Sequence, residues 1–158
     1  MRKVGLLRYR KATAADLDWL VATEQQCFGT VEAFSRRSLG GMIKNAHDSI
    51  ILDILELGQT PVGYAVYLTR RNSKYIRLYS VCLLPDFQGQ GLIGAYLRER
   101  ISQFSGKYQK IGLEVRIGNT GAERLYAKLG FGVKELLKGY YAGGKEDGYR
   151  MVKKLVTN

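Results

Sequence analysis

Histidine is nearly absent from this chain: His47 is the only one in 158 residues, which excludes a histidine-rich metal centre. Cysteine is scarce as well. Cys27 and Cys82 lie 55 positions apart with no C-x-x-C spacing, so neither a zinc site nor a disulfide framework is indicated. No apolar run approaches the roughly 18 residues needed to cross a bilayer. Arg8, Arg10 and Lys11 break up the apolar residues near the start, and no signal peptide is expected. Acidic residues are outnumbered, 14 against 25 Lys and Arg, for a net charge of +11. That excess points to an anionic partner: a polyphosphate cofactor, an acidic substrate or nucleic acid. A merely basic soluble surface is the competing explanation. With 46% hydrophobic and 25% charged residues, a single globular domain over 1–158 in a reducing, cytoplasmic setting is expected, without a membrane partner.

What is present centres on Ser80–Gly94, SVCLLPDFQGQGLIG. An apolar, β-prone run through Tyr79, Val81, Cys82, Leu83 and Leu84 stops at Pro85. Gln88, Gly89, Gln90 and Gly91 follow, then a helical pattern from Leu92 to about Phe104. A strand that ends in a glycine turn and opens a helix gathers unpaired N–H groups at one point. The helix dipole adds partial positive charge there. Such a turn suits phosphate oxygens. Gly89-Gln90-Gly91-Leu92-Ile93-Gly94 satisfies the dinucleotide pattern G-x-G-x-x-G, with Glu114 about 20 residues further on. Against that reading, Pro85-Asp86-Phe87-Gln88 intervene after the strand, and too little chain follows for the usual six-stranded parallel sheet. Coenzyme A is the other phosphate-bearing candidate.

The remaining chain predicts a strand over Leu6–Ala12 and a helix capped by Thr13, with Leu17, Leu20, Val21, Cys27 and Phe28 at helical spacing. Gly29–Glu32 reads as a loop and Phe34–Asn45 as a second helix. His47 falls in the connector after it, a surface-loop residue more readily than a catalytic one. Ser49–Glu56 and Pro61–Leu68 form a hairpin, and Arg70–Lys74 a basic turn. Tyr75–Leu84 is the strand that delivers the glycine turn, and Lys110–Arg116 is the next. A helix capped by Asn119 or Thr120 ends at Gly130, and Val133–Leu137 with Tyr149–Leu155 make a last strand pair. The order β-α-α-β-β-β-α-β-α-β-β implies an α+β fold. Its sheet is mixed, mostly antiparallel and flanked by about four helices.

The pattern V-x-L-x-P-x-[FY]-[QR]-G-x-G stands here as Val81, Leu83, Pro85, Phe87, Gln88, Gly89 and Gly91. A second, N-x-x-A-x-x-L-Y-x-K-x-G-F, stands as Asn119, Ala122, Leu125, Tyr126, Lys128, Gly130 and Phe131. Together they resemble the GNAT superfamily of acetyl-CoA-dependent N-acetyltransferases over essentially the whole chain. Within it, Leu113-Glu114-Val115-Arg116 and Tyr140-Tyr141 with Glu146, Asp147 and Met151 are most similar to the bacterial ribosomal-protein alanine N-acetyltransferases. The resemblance implies acetyl-CoA as cofactor and direct transfer to a primary amine within a ternary complex. The main chain of Val81, Cys82 and Leu83 would pair with pantetheine, and the N–H groups of Gln88, Gly89, Gln90, Gly91, Leu92, Ile93 and Gly94 would hold the pyrophosphate. Asn119, Ala122 and Tyr126, at i, i+3 and i+7, share one helix stripe and would face the cofactor.

Amine attack on a thioester needs a base for the acceptor's proton and an acid for the departing thiolate. Glu114, set among Ile111, Leu113 and Val115, is the expected base, its pKa raised by partial burial; an ion pair with Arg116 is the competing role. Tyr126 is the expected acid, as in similar enzymes. Cys82 as an acyl-carrying nucleophile is outweighed by a small core residue in a strand. Tyr140 and Tyr141 are expected in a loop that closes over a peptide acceptor, a packed loop beside Met151 being the alternative. The acceptor expected is a protein or peptide N-terminus, with lysine side chains or a small polyamine as alternatives. Two departures stand out. Ile93 occupies a position where relatives carry Gly or Ala, and Phe28 leads into Gly29-Thr30-Val31-Glu32 where close relatives often have Pro-Trp. A basic RNA- or ribosome-associated domain without catalysis is the rival function; no nucleic-acid signature supports it.

Overall fold

The computed structural model describes residues 7–45 and 49–155; His47 lies outside them. Its strands are β1 (Leu7–Lys11), β2 (Ile50–Leu57), β3 (Thr60–Leu68), β4 (Tyr75–Leu83), β5 (Lys110–Arg116), β6 (Gly132–Tyr141) and β7 (Glu146–Lys154). Its α-helices are α1 (Leu17–Glu32), α2 (Arg36–Lys44), α3 (Leu92–Phe104) and α4 (Thr120–Lys128). Hydrogen-bonded neighbours run β1-β2-β3-β4-β5-β7-β6, a mixed seven-stranded sheet. Its β1·β2, β2·β3, β5·β7 and β6·β7 ladders are antiparallel and β4·β5 is parallel. This is the α+β fold expected.

The described residues gather into two compact units. The first comprises those of Met1–Thr69 with Ser80–Tyr96. Here β2 alternates, as a strand must, between two faces. Leu52 and Ile54 join Leu20, Leu39, Tyr64 and Val66 in a core built with α1 and α2. Asp53, between them, takes the opposite side and is buried all the same. Ser35 caps α2 by accepting from the Ser38 N–H, which sets the helix start one residue after the cap. α1 runs on to Glu32 but is interrupted at Gly29 (φ 75°, ψ 173°), so the expected loop is a broken helix instead.

The second unit comprises Arg70–Tyr79 and the described residues from Leu97 on. Ile111, Leu113 and Val115 are buried along one face of β5, and Glu114 stands on the other. β6 is longer than expected and reaches Tyr141, with a register shift against β7 between Leu137 and Tyr141. Tyr140 and Tyr141 therefore end a strand rather than sit in a loop. The reason is main-chain pairing: Tyr141 still lies opposite Glu146, which the side-chain pattern alone does not reveal.

Candidate functional site

In the first unit the relevant geometry is main chain. The Leu84 N–H donates to the Val62 carbonyl at 2.8 Å, fixing the end of β4 on β3. Pro85–Phe87 then form a 3₁₀ turn. Gly89 (φ 78°) and Gly91 (φ 74°) both take left-handed backbone, and a Cβ at either would meet nothing within 4 Å. The turn is thus shaped by glycine's freedom, not by crowding from its own fold. The Ala95 N–H reaches back to the Gly91 carbonyl at 3.2 Å, so α3 begins immediately after the turn and its first N–H groups precede any intrahelical partner. A turn with open space over two glycines at the start of a 13-residue helix suits a pyrophosphate. Gln88 turns inward, its Nε2 donating to the Leu83 carbonyl at 2.9 Å, where the Cys27 thiol also donates at 3.5 Å. Of the three β4 residues expected to pair with pantetheine, Leu83 thus has its carbonyl already engaged. Ile93 is half-buried and Gly94 buried.

Cys27 and Cys82 are both free. Hydrogen bonding with Cys27, then burial, pushes the Cys82 thiol well above the ordinary cysteine value. The nucleophile alternative loses its chemistry, because a thiol held protonated is a poor attacking group.

In the second unit the geometry is carried by side chains. The Glu114 side chain is only 6% exposed, and both its oxygens are engaged: Arg77 pairs with Oε1 and Arg150 with Oε2, the latter at 3.5 Å. Arg150 also pairs with Glu135. The register explains the cluster, since Glu114 faces Arg150 on β7 and Arg150 faces Glu135 on β6. Arg116, the partner weighed from sequence, pairs instead with Glu146 at 3.2 Å and places its guanidinium over the Tyr141 ring. Burial disfavours the Arg77 charge, but Glu114 outweighs it and holds the guanidinium above its usual value. Arg77 Nη2 also donates to the Tyr140 hydroxyl at 3.2 Å. Tyr140 is thereby tied to Glu114 through one arginine.

Tyr126 is half-buried on α4, edge-on to Phe131 at 5.8 Å. Its hydroxyl has no hydrogen-bond partner among the described residues. Burial, and secondarily Tyr141, push its pKa up to about 12. Tyr141 is likewise raised to about 12, by burial and then by Tyr140 and Glu114. Asn119 caps α4, its Oδ1 accepting from the Ala122 N–H at 3.3 Å. Part of the polar stripe expected to face the cofactor is therefore spent on the helix itself. Arg77 and Arg150 were missed from sequence. The alternation Ile76-Arg77-Leu78 marks Arg77 as a polar-face residue, but which carboxylate it meets depends on a register the sequence does not display.

The chain matches the model of the acetyltransferase (GNAT) family over residues 13–131. It is 30% identical over 116 residues to an N-alpha-acetyltransferase of Saccharolobus solfataricus, covering 72% of this chain and 66% of that protein's length, just under two thirds. It is 31% identical over 140 residues to the ribosomal protein bS18-alanine N-acetyltransferase of Haemophilus influenzae, covering 85% of this chain and 89% of that protein. Among solved structures, a ribosomal-protein alanine N-acetyltransferase from Escherichia coli superposes with a TM-score of 0.81 over 97% of this chain and 96% of its own, at 23% identity.

Proposed function

The chain belongs to the GNAT family of acetyl-CoA-dependent N-acetyltransferases, and from that premise we propose that it acetylates the N-terminal amine of a protein or peptide by direct transfer in a ternary complex. Acetyl-CoA supplies, when bound, a thioester carbon open to an amine lone pair. The N–H groups of 89–94 would hold the pyrophosphate, with the left-handed Gly89 and Gly91 letting the main chain approach it, while the Gln88 N–H already donates to the Pro85 carbonyl at 3.2 Å. Val81 and Cys82 offer main-chain groups to the pantetheine arm, and Ala122 lies on the α4 stripe with Tyr126. Glu114 receives the proton that the acceptor nitrogen gives up on attack, directly or through one water. Arg77 and Arg150 fix the orientation of that carboxylate. The Tyr126 hydroxyl, its pKa pushed up to about 12 by burial, would be the proton donor to the coenzyme A sulfur. Tyr140 and Tyr141 border the acceptor.

The observation that carries this reading is the glycine turn that opens α3, combined with a buried, oriented carboxylate on β5. An α-amine is the fitting acceptor. With a pKa near 8 it is about one-quarter neutral at pH 7.5, against about one molecule in a thousand for a lysine near 10.4. Since both Glu114 oxygens already accept from arginines, an amine that needs little deprotonation suits the site. A cytoplasmic setting belongs to the same proposal, supported by the two free cysteines.

The test is mass spectrometry of a peptide panel after incubation with acetyl-CoA. The expected product gains about 42 Da, an acetyl group in place of one hydrogen, on the N-terminal nitrogen. Label confined to lysine side chains, or to spermidine supplied alongside, overturns the proposal.

A further inference from the structure

Glu114 opens onto a groove of about 680 Å³ that lies wholly in the second unit. Its lining includes six cations, Arg70, Arg77, Lys110, Lys134, Arg150 and Lys154, against two carboxylates, Glu114 and Glu135. Both carboxylates are spent on Arg77 and Arg150. Arg70, Lys110, Lys134 and Lys154 have no ion-pair partner among the described residues, which leaves a surplus of four positive charges facing the groove.

The register orders these groups. At one end Glu114, Arg150 and Glu135 lie side by side across β5, β7 and β6. In the middle, Gly112, Val152 and Gly132 are register partners. At the far end Lys110 and Lys154 are direct partners, with Tyr75 beside Lys110 on β4. On β5 the tyrosine takes the space that the glycine leaves: a Cβ on Gly112 would lie 1.7 Å from the Tyr75 hydroxyl, so Tyr75 lines the groove over Gly112. The result is a shallow trough about three strands wide, roughly 10 Å. Its carboxylate end and its twin-lysine end are four residues apart on β5, about 13 Å at 3.3 Å per residue.

We propose that this groove is the acceptor subsite and that it selects polypeptides carrying acidic side chains at about their fourth and fifth residues. The inference rests on Glu114 serving as the base. An extended chain whose N-terminal nitrogen is at Glu114 covers about 13 Å in four residues and so brings its fourth and fifth side chains to Lys110 and Lys154. The same surplus charge repels a polyamine, every nitrogen of which is cationic. Nucleic acid is the other polyanion to consider. A single-strand site pairs its cations with aromatic platforms, whereas the Tyr75 ring is committed to Gly112 and the floor is otherwise Gly and Val.

Three peptides that differ only at positions four and five, as Asp-Glu, Asn-Gln or Lys-Lys, test the idea by kcat/KM for acetylation and by calorimetric Kd. The acidic peptide is expected to have a kcat/KM about tenfold higher and a Kd about tenfold lower than the neutral one, with the basic peptide displaced from the neutral one in the opposite direction. The gap should narrow as salt is raised from about 0.05 to 0.5 M. The double variant Lys110→Glu/Lys154→Glu should reverse the order, and so should the milder Lys154→Glu. Equal values across the three peptides overturn the groove inference while leaving N-terminal acetylation standing. Tight binding of the acidic peptide without turnover of any peptide keeps the groove and removes Glu114 as base. A single-stranded RNA that displaces the acidic peptide and binds more tightly than it overturns the proposal in favour of nucleic acid.

Discussion

Asp53 and Glu114 are carboxylates set in the same way into apolar strands, one in each compact unit, and the structure uses them oppositely. Asp53 is 2% exposed and accepts from the Tyr96 hydroxyl at 2.5 Å, which in turn accepts from Tyr67 at 2.9 Å. Burial, reinforced by Tyr67 and Asp53, drives the Tyr96 phenol far above its ordinary value. Glu114 has a side chain almost as buried, but it is held by two guanidiniums and borders an open groove. The Tyr67–Tyr96 hydroxyl chain ties Asp53 into the packed interior. Cationic partners hold the other carboxylate at the border of a groove, which suits the role proposed for it. Burial alone does not distinguish a working carboxylate from a packing one; the partners and the access do.

The sharpest way to break that contrast is Glu114→Gln. With the proposed base removed, kcat/KM on an N-terminal peptide should fall by about 10²- to 10⁴-fold, with thermal melting shifted far less. Steady-state kinetics and a melt on the same preparation decide it. A loss below tenfold makes Glu114 a structural pin like Asp53. Next in size, Asp53→Asn should cost about 2 kcal/mol through a mispaired buried hydrogen bond. For a chain of this length that lowers Tm by roughly 4–8 °C. Activity per folded molecule should hold; a hundredfold loss would place Asp53 with Glu114.

Gly91→Val extends the comparison to the main chain, because the role proposed for the turn rests on N–H groups and that proposed for Glu114 on a carboxylate. A β-branched residue at φ 74° is strained by about 1–2 kcal/mol, and its side chain projects into the space above the turn. KM for acetyl-CoA should rise about tenfold, a difference of about 1.4 kcal/mol, with peptide KM little changed. Unaltered cofactor binding removes the turn from the pyrophosphate site.

How much of this was legible beforehand follows the range of the interaction. Pro85, the glycine turn and the α3 pattern are local signals, and they placed β4 and α3 to within a residue or so. Glu114 was visible as a carboxylate inside KIGLEVR. Its partners were not: Arg77 and Arg150 are 37 and 36 residues away in sequence and meet Glu114 only through strand pairing. Arg116, the partner weighed in the competing role, pairs with Glu146 instead, because residues two apart on a strand share a face yet reach for different neighbours across it. Tyr140 and Tyr141 were placed in a loop because Gly139 and Gly143–Gly144 read as turn residues. Gly139 has a left-handed φ of 64°, but the β6·β7 ladder resumes beyond it, and pairing prevails over local composition.

The smallest effect expected concerns the tyrosines. Tyr126 and Tyr141 in the second unit are raised from 10 to about 12, both chiefly by burial. A group whose folded pKa lies above its unfolded value keeps its full stabilising contribution below the unfolded pKa and loses it as pH rises through the folded one. The window is therefore pH 10 to about 12, and stability should decline across it because the unfolded chain releases these protons first. Urea melts at pH 9.5, 10.5 and 11.5 measure the slope for the parent and for Tyr126→Phe/Tyr141→Phe. The double variant has two fewer protons to release on unfolding, so its decline should be shallower, while titration of the lysines is common to both proteins and cancels in the difference. Parallel slopes would mean that both phenols titrate normally. Tyr126 would then stand open to water, and the low-dielectric surroundings that keep its proton available for the departing sulfur would be absent.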